Sequence, residues 1–133
     1  MGLRVVRLGT PRETGEGLRV GTVRRPPRGV PKDRYAALDY YDVWLPALAP
    51  SAELMGWLKS HPQPWDEKLW QGFARRYRSE MAEPDSTHLL RLLAALSKRT
   101  DLAVGCYCDD ESRCHRSLLR ELLRKEGAQL VED

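Results

Sequence analysis

Cys106, Cys108, Arg113, Cys114, His115 and Arg116 fall within one short stretch, Cys106-Tyr107-Cys108-Asp109-Asp110-Glu111-Ser112-Arg113-Cys114-His115-Arg116, and these are the only three cysteines of the chain. Three chemistries suit such a set. The first is anion binding: free N–H groups and the dipole at a helix start attract phosphate, Arg113 or Arg116 adds a planar fork of donors, and Ser112 adds a hydroxyl. The second is thiol catalysis. A cysteine at a helix start beside histidine or arginine has its thiolate favoured, which makes Cys114 the candidate nucleophile and His115 its helper. The third is zinc, for which Cys106, Cys108, Cys114 and His115 form a complete set of nitrogen and sulfur ligands. Adjacent helical residues diverge by about 100°, so Cys114 and His115 share an ion only if the first turn is distorted. A plainer alternative has no chemistry at all: small apolar thiols in the core, and a histidine satisfied by a backbone carbonyl.

These residues depend on the elements around them. Leu102 to Tyr107 reads as a buried strand, with Cys106 and Cys108 on one face and Tyr107 on the other. Ser112 is placed to cap a helix over Arg113 to Glu126, closed by Gly127. On that helix Cys114, Leu118 and Leu122 form one stripe and His115, Leu119 and Leu123 its neighbour, while Arg113, Arg116, Arg120 and Arg124 form an outer basic stripe. Ala128 to Val131 follows as a strand, giving a βαβ ending with parallel pairing.

Upstream, Leu3 to Leu8 alternates like a half-buried strand, and Leu18 to Val23 is a second. Prolines between Arg24 and Lys32 prevent regular structure. A short helix is expected over Arg34 to Tyr41, capped by Asp33. Ser51 is an N-cap, Trp65 to Met81 carries Leu69, Trp70, Phe73, Tyr77 and Met81 at helical spacing, and Leu89, Leu92, Leu93 and Leu96 line another helix. His61 and His88 stand alone, as surface or cap residues. Strands followed by helices and then strand–helix–strand predict an α/β fold. We expect a single small, three-layer-like sandwich with a short, mostly parallel sheet of about four strands and flanking helices, one domain over residues 1–133.

Composition limits the function classes. With 133 residues, 41% of them hydrophobic and 31% charged, the chain is long enough to bury a core without metal or disulfide help. It has no apolar run of membrane-spanning length and no signal-peptide core, so the expected location is the cytoplasm, with reduced thiols and no membrane partner. The net charge of +3 is uneven. Residues 1–34 hold nine basic residues against three acidic ones. If this basic third reaches the same sheet end, Arg24, Arg25, Lys32 and Arg34 join Arg116 at one pocket; otherwise it is a solvated loop or a nucleic-acid contact. Tyr40, Tyr41 and Trp44 lie between prolines, at a groove or closing the core.

The run Tyr40-Tyr41-Asp42-Val43-Trp44-Leu45-Pro46-Ala47-Leu48-Ala49-Pro50-Ser51 resembles the family called domain of unknown function 488, the YeaO-like proteins. Pro31-Lys32-Asp33-Arg34, Phe73-Ala74-Arg75-Arg76-Tyr77-Arg78 and Cys114-His115-Arg116-Ser117-Leu118-Leu119 resemble it too. The resemblance covers most of the chain and implies a small bacterial or archaeal cytoplasmic α/β protein. It also points to Cys106, Cys114, His115 and Arg116 as the counterparts of the family's Cys and Cys-His-Arg positions. The chain departs from that pattern at Cys108, where such members tend to carry Glu.

The expectation is therefore a protein that binds or acts on a phosphate-bearing or nucleotide-like ligand at a Cys-His-Arg cleft. Cys114 and His115 are the reactive groups, and Arg116, Arg113, Ser112, Cys106, Lys32 and Arg34 hold the ligand. No cofactor is required, zinc being the one candidate. The alternative is a nucleic-acid-binding or interaction module built on the basic N-terminal third, with structural cysteines.

Overall fold

The computed structural model describes residues 2–108 and 113–131. Strand β4 (Asp101–Cys106) is buried from Leu102 onward. This is what a run of small and branched apolar residues does when both faces are covered. On one side it pairs in parallel with β1 (Gly2–Arg7), setting Leu3 beside Leu102 and Val5 beside Val104. On the other it pairs in parallel with β2 (Leu18–Gly21), which pairs with the short β3 (Val43–Trp44). The order β1-β4-β2-β3 is parallel throughout, so all four carboxyl ends lie at one edge of the sheet.

Leu3, Val20, Leu102 and Val104 form one core with four helices: α1 (Ala52–Lys59), α2 (Glu67–Met81), α3 (Pro84–Ser97) and α4 (His115–Lys125). The expected aromatic face of α2 forms, with Trp70, Phe73, Tyr77 and Met81 all buried. Ser51 caps α1 by accepting from the Leu54 N–H at 3.0 Å, and Asp66 caps α2 by accepting from the Leu69 N–H at 2.8 Å. Each such cap contributes about 1 kcal/mol.

The other face of the sheet is covered by irregular chain. There Arg19 is almost completely buried, its Nη2 held by both carboxylate oxygens of Glu16 at 2.8 and 3.0 Å. Its Nη1 donates to the carbonyls of Thr10 and Asp39 at 2.9 and 2.6 Å. Gly17, at φ +81°, has no room for a Cβ against the Asp101 carbonyl, which lets the chain place Glu16 beneath the sheet.

Three elements differ from expectation. The helix over 34–41 is only a 3₁₀ turn at Lys32–Arg34. Asp39 turns left-handed at φ 63°, so the Tyr40 N–H goes to the Tyr35 carbonyl, and the Ala36 carbonyl accepts from the Asp39 N–H and Arg12 rather than from Tyr40. The strand over 128–131 shrinks to one bridge between Leu130 and Leu3, because the Gln129 N–H is diverted to Ser97 Oγ. Helix α4 starts at His115, with Cys114 in the cap position expected of Ser112; Ser112 itself lies outside the described residues.

Asp42, read from sequence as a turn residue, is an ion-pair hub. Burial alone would raise its carboxyl, but hydrogen bonds from Arg12 at 2.8 and 3.1 Å and from the Arg19 N–H at 2.8 Å hold it below the ordinary 3.8. A lowered folded value means the stabilisation is complete above the unfolded value and is lost as pH falls through the folded one. Asp42→Asn is expected to cost roughly 1 kcal/mol at neutral pH, a modest loss because the pair is partly solvated. Urea unfolding of variant and wild type should converge as the pH falls through the lowered folded value of Asp42. A gap that persists unchanged in acid would show that the charge contributes nothing.

Candidate functional site

The sheet's carboxyl edge carries the cysteine-histidine cluster. Cys106 is the last residue of β4, and the chain leaving β2 passes beside it at Thr22, whose N–H donates to the Gly105 carbonyl at 3.0 Å. Cys114 is extended, at φ −129° and ψ 149°, and α4 begins only at the next residue. The helical divergence between adjacent residues therefore does not apply to Cys114 and His115. Cys114 Sγ lies 3.8 Å from His115 Nδ1. The sulfurs of Cys106 and Cys114 and a ring nitrogen of His115 all lie within 4.8 Å of one another, and the three residues are buried. All three cysteines are free thiols.

The tautomer of His115 follows from its partner. Nε2 lies 2.7 Å from the Thr22 carbonyl, which can only accept, so Nε2 carries the proton. Nδ1 then presents its lone pair to the sulfurs. Burial lowers His115 below the ordinary imidazole value and outweighs the hydrogen bond to Thr22, so the ring is neutral. Tyr77 packs against it with ring centroids 5.6 Å apart, its hydroxyl held by the Leu48 carbonyl at 2.7 Å.

The three thiols perturb one another's acidity. The interaction with Cys106, then that with Cys114, lowers Cys108 to about 2 against the effect of burial. Cys106 is raised by its interaction with Cys108, then by that with Cys114 and by burial. For Cys114 the interaction with Cys106 acts downward, but that with Cys108 and burial leave it raised to about 11. The thiolate form is thus favoured at Cys108, the exposed thiol of the three. Cys114, the nucleophile expected from sequence, is buried at the cap position, where the neighbouring Cys108 and burial hold its thiol up.

Beside the cluster opens a cleft of about 810 Å³. Cys108, Cys114, His115 and Arg113 line one part of it. Met55, Leu58, Trp65 and Phe73 give it an apolar wall, and Gln63 and Pro64 complete it. Arg113 reaches Glu67 Oε2 at 3.1 Å and lies over the Trp70 ring, 5.7 Å from its centroid. Arg116 does not join an outer stripe. It is 4% exposed, and its Nη2 donates to the Cys108 carbonyl at 2.5 Å. Since α4 starts at His115, Arg116 falls in the first turn and ties down the chain that carries Cys108. Lys32 and Arg34 are exposed on the 3₁₀ turn and do not line the cleft.

Several participants were not legible in the sequence. Thr22 acts through its carbonyl, which no side-chain pattern announces. Gln63 and Pro64 lie between two expected helices, and Trp65 reads only as the start of the second. Phe73 was legible as core but not as part of the cleft wall.

Among the described residues no helix is long and apolar enough to cross a membrane. No curated protein and no solved structure matches the chain. A family model does match, over residues 3–127: DUF488-N3a, described as the active DUF488-N3 subclade. Apart from Gly2 of β1, that span contains every strand and helix named above and the whole cysteine-histidine cluster, and on it the chain belongs to the DUF488 family.

Proposed function

We propose that the protein takes a small ligand with a flat, largely apolar body and an anionic group, a nucleotide-like molecule, into the cleft at the carboxyl edge of the sheet. The carrying observation is the composition of that cleft: an apolar wall of Trp65, Phe73, Met55 and Leu58 shared with Arg113, Cys108 and His115. Pockets of this size, mostly apolar with a few convergent polar groups, are the usual form of a small-molecule site. In open parallel sheets ligands gather beyond the strands' carboxyl ends. The ligand's body lies along the aromatic wall and its anion meets Arg113. The Arg113–Glu67 pair is no obstacle, since Glu67 is 65% exposed and such pairs contribute little. The thiol and imidazole groups form the wall where chemistry on the ligand takes place, in a compartment that keeps them reduced.

The basic N-terminal third is a weaker basis for function. Arg12 pairs with Asp39 and Asp42, Arg19 with Glu16, and Arg24 Nε donates to the Pro50 carbonyl at 3.1 Å.

Calorimetry of the full chain with nucleoside monophosphates, the matching nucleosides and inorganic phosphate tests the reading. Monophosphates are expected to bind more tightly than either part alone. Arg113→Ala should weaken them roughly 10- to 100-fold, as expected for a lost charge-assisted hydrogen bond. If no phosphate-bearing compound binds, or Arg113→Ala leaves binding unchanged, the proposal is wrong.

A further inference from the structure

Apolar packing does not account for two buried thiols and an oriented imidazole lone pair meeting at one point. We propose that the protein binds one Zn²⁺ through Cys106, Cys114 and His115 Nδ1, with Cys108 as the fourth ligand on the cleft side.

The distances fit before any metal is added. Zinc–sulfur bonds of about 2.3 Å and zinc–nitrogen bonds of about 2.0 Å in a tetrahedron hold ligand atoms about 3.6–3.8 Å apart. Cys114 Sγ and His115 Nδ1 are 3.8 Å apart, and with Cys106 Sγ all three atoms lie within 4.8 Å. The Thr22 carbonyl fixes the ring as metal-binding histidines are fixed, by accepting from the nitrogen that does not ligate. Cys114 reaches the same point as His115 because its own backbone is extended rather than helical. Cys108, two residues beyond Cys106 and on the same cleft wall as Cys114 and His115, closes the set from that side. Three thiolates and one imidazole favour zinc over the harder divalent ions. The resulting centre carries one negative charge, with Arg113 beside it on the cleft wall and Arg116 bonded to the Cys108 carbonyl.

The assignment rests on the cluster alone, so it stands or falls separately from the nucleotide-like ligand. Because Cys108 is exposed, the ion can be reached from the cleft, and exchanging this one ligand gives an incoming oxygen or nitrogen access to a Lewis acid.

The test uses the full chain, purified with reductant, stripped by chelator and titrated with zinc and with cobalt(II). One equivalent of zinc is expected to bind and to slow alkylation of the thiols. Cobalt should give intense tetrahedral visible bands and near-ultraviolet thiolate charge transfer. Cys106→Ser and His115→Ala should weaken zinc binding by more than the roughly 10- to 100-fold seen when outer-shell partners are lost. Because those sites are buried and a folding defect there would mimic lost binding, the exposed Cys108→Ser carries the decisive reading. It should keep stoichiometric cobalt while losing about one third of the charge-transfer intensity, one thiolate of three. No saturable uptake by the reduced wild type, a weak octahedral cobalt spectrum, alkylation unaffected by zinc, or full charge transfer in Cys108→Ser would each overturn the proposal.

Discussion

Glu16→Ala is expected to destabilise the fold by about 3–5 kcal/mol, the usual cost of leaving one member of a buried ion pair without its partner. Both side chains are 1% exposed, so water cannot replace the lost carboxylate. Two carbonyls would remain on Arg19 Nη1, but nothing would balance the charge, and Nε already lacks a partner among the described residues. Against a typical total of about 5–15 kcal/mol for a domain, a loss of this size is large. It should appear as a lower urea midpoint with little change in slope. Glu16→Leu combined with Arg19→Met should recover most of it, because replacing both partners by apolar groups is often neutral or favourable. A single Glu16→Ala variant within about 0.5 kcal/mol of wild type, the range of ordinary surface changes, would mean that the pair is not buried as described.

Phe73→Ala ranks next, with an expected loss of about 3–5 kcal/mol for an aromatic removed from a packed core. Phe73 is 1% exposed and stacks on Trp70 and Tyr77 at centroid distances of 5.0 and 6.4 Å. Tyr77 in turn packs on His115, so the stack runs from the helical core to the reactive cluster. Phe73→Leu keeps most of the volume and should cost less than about 1.5 kcal/mol. The same series reads function, because Phe73 is also part of the cleft wall. The alanine variant should bind a nucleotide-like ligand more weakly even where it is fully folded. Equal stability of the alanine and leucine variants would refute the packing argument. Since Glu16 and Phe73 lie on opposite faces of the sheet and share no partner, their effects should add to within about 0.5 kcal/mol.

Where sequence reading failed, side chains had taken backbone roles. Nothing in Glu16-Gly17-Leu18-Arg19 marks a buried pair, because charged residues three apart ordinarily face solvent. The short helix expected over 34–41 is broken where Asp39 turns left-handed, its carbonyl held by Arg19. Arg116 reads as one of four arginines on an outer stripe until the start of α4 is known. A shift of that start from Arg113 to His115 turns Arg116 inward and frees Cys114 from helical geometry. Boundaries of this kind depend on which hydrogen bonds the neighbouring chain supplies, and local composition does not contain that information.

By itself the sequence determined the α/β class, the amphipathic face of α2, the burial of strand β4 and the gathering of cysteine, histidine and arginine at its end. These follow from periodicity and from the covalent closeness of residues 106–116. Only the tertiary structure decided which sulfur is exposed, which nitrogen of His115 faces the sulfurs, and that an apolar cleft lies beside them. Those outcomes depend on partners far away in the chain, Thr22 from β2's exit and Trp65 and Phe73 from around α2. Only folding brings such groups within the few ångströms over which hydrogen bonds and packing act.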